Sequence, residues 1–272
     1  MSKRSRDALG KRMKQYYEEV SKTRLMRRTP VAIRIDGKAF HTITKGFEKP
    51  FDDICMKTMQ ETMKYLCEHI QGCVIGYTQS DEITLILVDY QNLATAAWYD
   101  YEVQKLCSVS ASMATLEFNR RFEHNSREFI YDVSEIWNTE ASDNRLRITR
   151  AEAYQRTIDI GAMFDSRCFN IPVEEVTNLL YWRQLDSVKN SLQLLGRKYF
   201  TAKELQGKHG GEIQDMLMER YNVNWNDLTV PQKRGSCCIR TESGWVIDND
   251  IPEFKGEGRQ YVEKLIHFED GE

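Results

Sequence analysis

Two acidic steps in the chain carry the residue types that magnesium-dependent phosphoryl chemistry needs. Asp36 precedes Gly37 at the end of "TPVAIRIDG" (29–37), and Asp81 precedes Glu82 inside "TQSDE" (78–82). Carboxylates brought together repel one another unless a cation neutralises them. Mg²⁺ takes such hard oxygen ligands a few at a time and completes its shell with water and substrate phosphates. Two such ions, about 3.5–4 Å apart, clamp the attacking and leaving oxygens of an in-line phosphoryl displacement. Gly37 suits this chemistry, because without a side chain its backbone can approach a metal or phosphate closely. Taken singly, Asp-Gly after a strand and Ser-Asp-Glu in a hairpin are ordinary turns. Only a fold that brings both to one edge makes them a site.

The elements that would do so are legible. Pro30 starts a strand in which Val31, Ile33 and Ile35 alternate, and Asp36-Gly37 closes it. A helix is predicted at about 53–69, with Asp52 as its N-cap and Met56, Met59, Met63 and Leu66 as its inner stripe. "CVIGY" (73–77) and "ITLILV" (83–88) read as strands joined by the polar hairpin turn 78–82. A long helix is expected at about 93–120, a strand at "CFNIPV" (168–173) and a helix at about 174–196. "TAKE" (201–204) matches a capping box that opens another helix, and Gly210-Gly211 interrupts the region before "EIQDMLMERY".

The order strand–helix–strand–strand–helix–strand predicts the α/β (α+β) class, with a ferredoxin-type antiparallel sheet packed with helices. This is the palm of many polymerases and nucleotide cyclases. There the first strand runs antiparallel beside the third, so Asp36 should meet Asp81-Glu82. The expected organisation is one catalytic palm-type domain over 1–272, with a polar, flexible insertion at about 121–160 and a C-terminal extension at about 237–272.

Bulk composition narrows the setting. No apolar run reaches the roughly 20 residues of a membrane helix, so no membrane partner is expected. The N-terminus lacks the apolar central stretch of a secretory signal, so none is expected. Seven scattered cysteines without a CxxC pair predict reduced thiols in a cytoplasmic compartment and no structural zinc. The net charge is −3, yet residues 1–28 carry ten Lys/Arg against Asp7, Glu18 and Glu19. Such a block suits a polyanion. Leu9, Met13, Tyr16 and Val20 recur there at helical spacing, which is equally the pattern of a packed amphipathic helix with a basic outer side.

At this point a resemblance enters. "RIDGKAFHTITKGFEKPFD" (34–52), "GYTQSDE" (76–82), "FDSR" (164–167), "YWRQLD" (181–186) and "QKRG" (232–235) resemble, in order, the motifs of the tRNA-histidine guanylyltransferase superfamily, the 3′-to-5′ RNA polymerases. The resemblance implies that Asp36, the Gly37 carbonyl and Asp81 hold two Mg²⁺ ions, with Glu82 completing the catalytic acids. It implies that Lys38, Ala39, Phe40, His41 and Ser80 hold a nucleotide, largely through backbone, and that Lys49 contacts phosphates. Arg34, Lys105, Arg167 and Arg183 match basic positions that hold triphosphate or the RNA 5′ end, with Lys208 and Arg234 as weaker matches. ATP and GTP or another NTP would be substrates, the tRNA 5′ end and acceptor stem the partner, and a homotetramer the assembly.

One departure is informative. Where histidine-specific members carry a His-Ile-Asn-Asn-Leu-Tyr-Asn stretch, this chain has "VKNSLQL" (188–194). Val188 replaces the histidine those members use in anticodon recognition, and an apolar side chain makes no base-edge hydrogen bond. A second basic position of those members is Glu102 here. The resemblance is therefore to the guanylyltransferase-like branch. The expected function is template-dependent 3′-to-5′ repair of tRNA 5′ ends through ATP activation of a 5′-monophosphate. The alternative is addition of G at position −1 of tRNA-histidine; a palm-type nucleotide cyclase and a non-catalytic RNA-binding protein are the rivals from other classes.

Overall fold

Alternation decides the architecture. In β1 (Val31–Gly37) the side chains of Val31, Ile33 and Ile35 enter one buried core while Ala32, Arg34 and Asp36 point to the opposite face of the sheet. A computed structural model describes residues 3–135 and 142–268 of the chain. Before β1 lies α1 (Lys3–Met13), continued by a wider turn at Lys14–Glu18. After it come α2 (Phe40–Ile43), α3 (Asp53–His69), β2 (Cys73–Gln79) and β3 (Glu82–Leu87). Next are α4 (Val103–Glu135), α5 (Ser142–Ile160), β4 (Phe164–Asn170) and α6 (Val173–Tyr199). The rest comprises α7 (Ala202–Leu205), α8 (Gly210–Tyr221), α9 (Val230–Arg234), β5 (Ser236–Thr241), β6 (Gly244–Asp248) and α10 (Gln260–Ile266).

The sheet has the order β4-β1-β3-β2-β5-β6, and every adjacent pair is antiparallel. Its first four strands are the ferredoxin-type unit expected from the sequence, with β1 beside β3. Helices α3 and α4 cover one face through Met59, Met63, Leu66, Phe118 and Phe122. Helices α6 and α10 cover the other through Val176, Leu180, Val262 and Ile266. Asp52 caps α3 by accepting the Cys55 N–H at 3.0 Å. No described helix is long and apolar enough to cross a membrane, and all seven cysteines are free.

Several expected boundaries move. Helix α4 begins only at Val103, because Tyr99, Asp100 and Tyr101 adopt positive φ angles of 49°, 54° and 53° that no helix tolerates. The polar stretch 121–160 is two helical segments flanking residues 136–141, which lie outside the described residues. It looked irregular because these helices expose charged faces and bury sparse anchors, among them Phe122, Val133 and Tyr154. Strand β4 starts at Phe164 and ends at Asn170, before the Ile-Pro step. Gly210-Gly211 opens α8 rather than interrupting it. The segment read as a C-terminal extension supplies β5, β6 and α10, with Cys237 and Cys238 buried in the sheet.

Candidate active site

The tight turn between β2 and β3 consists of Ser80 and Asp81. Ser80 adopts φ 51°, its hydroxyl donates to Asp81 Oδ1 at 2.9 Å, and the Gly37 N–H donates to the Asp81 carbonyl at 3.0 Å. That last bond fastens the end of β1 to the start of β3. Directly behind it, Asp36 pairs with Glu82 on β3 and with Asp165 on β4. Paired residues project on the same face of a sheet. The long-range meeting of Asp36 with Asp81-Glu82 is thus as the topology required.

Charge responds to this crowding. Burial pushes the Asp81 carboxyl above its ordinary value; the Ser80 hydroxyl pulls it back, and the Asp36 charge adds to the rise. A cation between them would relieve both effects. Among the described residues no group of three or more His, Cys, Asp or Glu side chains is placed to hold a metal by itself. Two carboxylates with adjacent backbone carbonyls fit an ion that keeps water and substrate phosphate in its shell, as Mg²⁺ does.

In front of the turn opens a cavity of about 550 Å³. Gly37, Ala39, Phe40, His41, Lys49, Ser80 and Asp81 all line it. Ala39 reverses the chain with φ 52°, and α2 follows at once. A Cβ on Gly37 would lie 2.2 Å from the Phe40 ring, so only glycine fits there while Phe40 stays in its aromatic cluster with Phe118 and Phe164. Lys38 is exposed and belongs to the sheet edge, its N–H bonded to the Met163 carbonyl.

Behind the acids, on the face covered by α6, lies a second charged layer. Arg34 and Arg167 are partners across β1 and β4. Arg183 on α6 donates to Glu82 at 2.7 Å; both side chains are 7% exposed. Arg34 Nε lies 3.6 Å from the same carboxylate, and both guanidinium groups lie over the Trp182 ring. Glu82 therefore sits outside the cavity lining, in a buried ion pair. Burial pushes its carboxyl up while Arg183 and then Arg34 pull it back. Arg34 Nε and Arg234 Nε are buried without a hydrogen-bond partner.

None of Arg34, Arg167 and Arg183 lines the cavity, and three further basic positions stand apart from both the cavity and this layer. Lys105 lies over the Tyr99 ring, Lys208 pairs with Glu212, and Arg234 pairs with Glu253 beside β2. Conversely, sequence reasoning missed the far wall, formed by Ser187, Asn190, Ser191, Leu194 and Arg197 of α6 and Pro231 and Gln232 of α9. A signal existed. Arg183, Ser187 and Ser191 are polar residues at four-residue spacing on the buried stripe of α6.

An antiparallel palm with acids at the β1–β3 edge and a nucleotide-sized cavity before them defines a palm-type nucleotidyltransferase. Comparison with known proteins makes this specific. The tRNAHis guanylyltransferase (Thg1) pattern matches residues 10–172. A probable tRNA(His) guanylyltransferase of Dictyostelium discoideum is 27% identical over 229 residues, covering 79% of this chain and 77% of that protein. A bacterial tRNA(His) guanylyltransferase (Thg1)-like protein solved in complex with ATP is 39% identical, with a TM-score of 0.79, covering 96% of this chain and all of the other. A bacterial Thg1-like protein in complex with GTP is 35% identical with a TM-score of 0.73. The chain belongs to the tRNAHis guanylyltransferase family, whose members are nucleotidyltransferases.

Proposed function

We propose that this chain adds guanylate to the 5′ end of tRNA. Asp36, the Gly37 carbonyl and Asp81 would hold two Mg²⁺ ions, which when bound would neutralise the triphosphate and the developing charge. Lys49, which lines the same cavity, would contact the triphosphate, with Ala39, His41 and Ser80 against the nucleotide. Arg34 and Arg167 form the basic layer that receives the RNA 5′ phosphate, while Arg183, expected there from the sequence, is buried and held by Glu82 and Asp186. An oxygen of that 5′ phosphate attacks the α-phosphorus of ATP and pyrophosphate leaves; the GTP 3′-hydroxyl then attacks the 5′ phosphorus and AMP leaves. The supporting observation is that Asp81 lines a cavity of about 550 Å³ while Asp36, at the adjoining end of β1, lies near enough for its charge to raise the Asp81 carboxyl. The named relatives favour guanylate addition over the broader end repair expected from the sequence.

A second reading, template-directed repair of shortened tRNA 5′ ends, is favoured by two positions. Val188 is a half-buried apolar residue of α6, and Glu102 is buried at the foot of α4, bridged through the backbone to Arg24. Neither presents the polar or basic group that selection of tRNA-histidine would use. The test incubates the protein with Mg²⁺, ATP and radiolabelled GTP, using 5′-monophosphorylated tRNA-histidine lacking G−1 and a 5′-truncated non-histidine tRNA. One labelled guanylate on the first supports the proposal. Extension of the second by whichever triphosphate pairs with its acceptor strand supports the repair reading. No 5′ labelling of either RNA overturns both. The seven free thiols support a reducing setting.

Affinity for RNA should depend on the basic N-terminal block. Every described side chain from Ala8 to Arg24 is exposed, whereas the chain as a whole is net acidic. Joint reversal of Lys11, Arg12 and Lys14 to glutamate is expected to flatten the slope of log affinity against log salt by about two to three, near one per lost phosphate contact. Filter binding across a salt series measures this, and an unchanged slope would take the helix off the RNA.

A further inference from the structure

Helix α5 grips the loop 43–52, most of which faces the cavity. Asp52 is the centre of the grip. Its Oδ2 accepts the Glu48 N–H at 3.0 Å and the Tyr154 hydroxyl at 2.7 Å, while Oδ1 accepts the Cys55 N–H. The carboxylate thereby closes Glu48–Asp52 into a hydrogen-bonded ring, from which the exposed Lys49 projects. Tyr154 is fully buried, and its ring packs edge-on against Phe47 at 4.9 Å and Phe122 at 5.5 Å. Arg150, one turn earlier on α5, donates from Nε to the Tyr154 hydroxyl, lies 3.4 Å from Asp52 Oδ2 and pairs through Nη1 with the Glu48 carboxylate. At the start of the loop, the Arg156 guanidinium donates to the Lys45 carbonyl and the Thr157 hydroxyl to the Ile43 carbonyl at 3.1 Å.

This arrangement exceeds what a helix cap needs. The Cys55 bond alone caps α3; the Glu48 N–H and the tyrosine hydroxyl constrain the chain on either side of Lys49. We infer that Tyr154 and Arg150 are positioning residues for Lys49, through which α5 sets where its ammonium group stands in the cavity that Ser80 and Asp81 also line. Burial, reinforced by the Asp52 charge, pushes the Tyr154 phenol well above its ordinary value, so the hydroxyl stays protonated and donates at every working pH. A lysine ammonium on a four-carbon stem is a point charge without geometry of its own. Its placement has to come from the backbone that carries it, and here that backbone is held by another helix.

The inference rests on the nucleotidyl-transfer reading of Lys49, and its test separates the two. Tyr154→Phe keeps the ring packing and removes one donor. Expected is a rise of about tenfold in the KM for the triphosphate and in the Kd of a non-hydrolysable ATP analogue with Mg²⁺, with kcat within about twofold. Because Tyr154 acts through Lys49, Tyr154→Phe added to Lys49→Ala should weaken binding no further than Lys49→Ala alone. Additive effects of the two, or a lowered melting temperature with unchanged triphosphate affinity, would reduce Tyr154 to a structural residue and overturn the inference. Should Tyr154→Phe fail to fold, the partly exposed Arg150 supplies the same comparison as Arg150→Gln, with Arg150→Lys expected to restore part of the affinity. If the wild-type chain binds no triphosphate, the nucleotidyl-transfer reading falls, and this inference with it.

Discussion

Alanine at Asp36 or at Asp81 should lower nucleotide addition by at least about 10³-fold, the effect of removing about 4 kcal/mol of transition-state stabilisation. Both side chains belong to the rim where β1 meets β3, and neither is fastened into the core by an ion pair. The fold should therefore survive either change. Asp81→Ala removes a carboxyl that burial pushes upward, so a slight gain in thermal stability is the expected sign at neutral pH. Single-turnover assays of each variant on 5′-monophosphorylated and 5′-triphosphorylated RNA, beside thermal melts, read activity and folding separately. A variant melting like wild type and turning over within tenfold of it would remove the carboxylate pair from the mechanism.

Arg183→Ala is expected to produce the largest loss of stability, about 3–5 kcal/mol, because it strands the buried Glu82 carboxylate without its closest partner. For a chain of this size that corresponds to a fall of roughly 10 °C in Tm. Chemical denaturation followed by tryptophan fluorescence measures it, with Trp182 lying over the affected guanidinium.

The pH dependence of the variant has a definite sign. Burial already raises the Glu82 carboxyl, and loss of the Arg183 charge raises it further. A group whose folded-state value exceeds its unfolded value contributes stability below the unfolded value and loses it as pH rises through the folded one. The deficit should therefore narrow on acidification from pH 7 towards 5. A deficit constant over that window would mean that Glu82 is solvated in the variant. Replacing Glu82 and Arg183 together by methionine should cost less stability than Arg183→Ala alone.

Much of this framework was readable from local pattern. The alternation of Val31, Ile33 and Ile35, the N-cap at Asp52 and the split βαβ order placed β1 beside β3, and so Asp36 beside Asp81-Glu82. What escaped was whatever depends on distant chain. Nothing in "SCCIRT" or "GWVID" says that these short segments complete the sheet beside β2; burial of Cys237 and Cys238 arises only when β2 presents its free edge. The buried role of Glu82 escaped for a related reason. Adjacent acids look equivalent in sequence, but successive side chains leave a turn in different directions, and only Glu82 meets Arg183 from a helix a hundred residues later. Tyr154 was hidden inside a stretch whose charged residues outnumber its anchors.

The strict alternation in β1 has a further consequence. Core-forming and chemistry-bearing residues are separated by a single peptide step along one strand, so a shift of one residue in pairing would drive Arg34 and Asp36 into oil and turn Val31, Ile33 and Ile35 out to the charges. No gradual slippage of this strand is survivable. Substitutions at Arg34 or Asp36, on the face under α6, leave the core beneath α3 and α4 untouched, so the chemistry-bearing positions can vary without disturbing that packing.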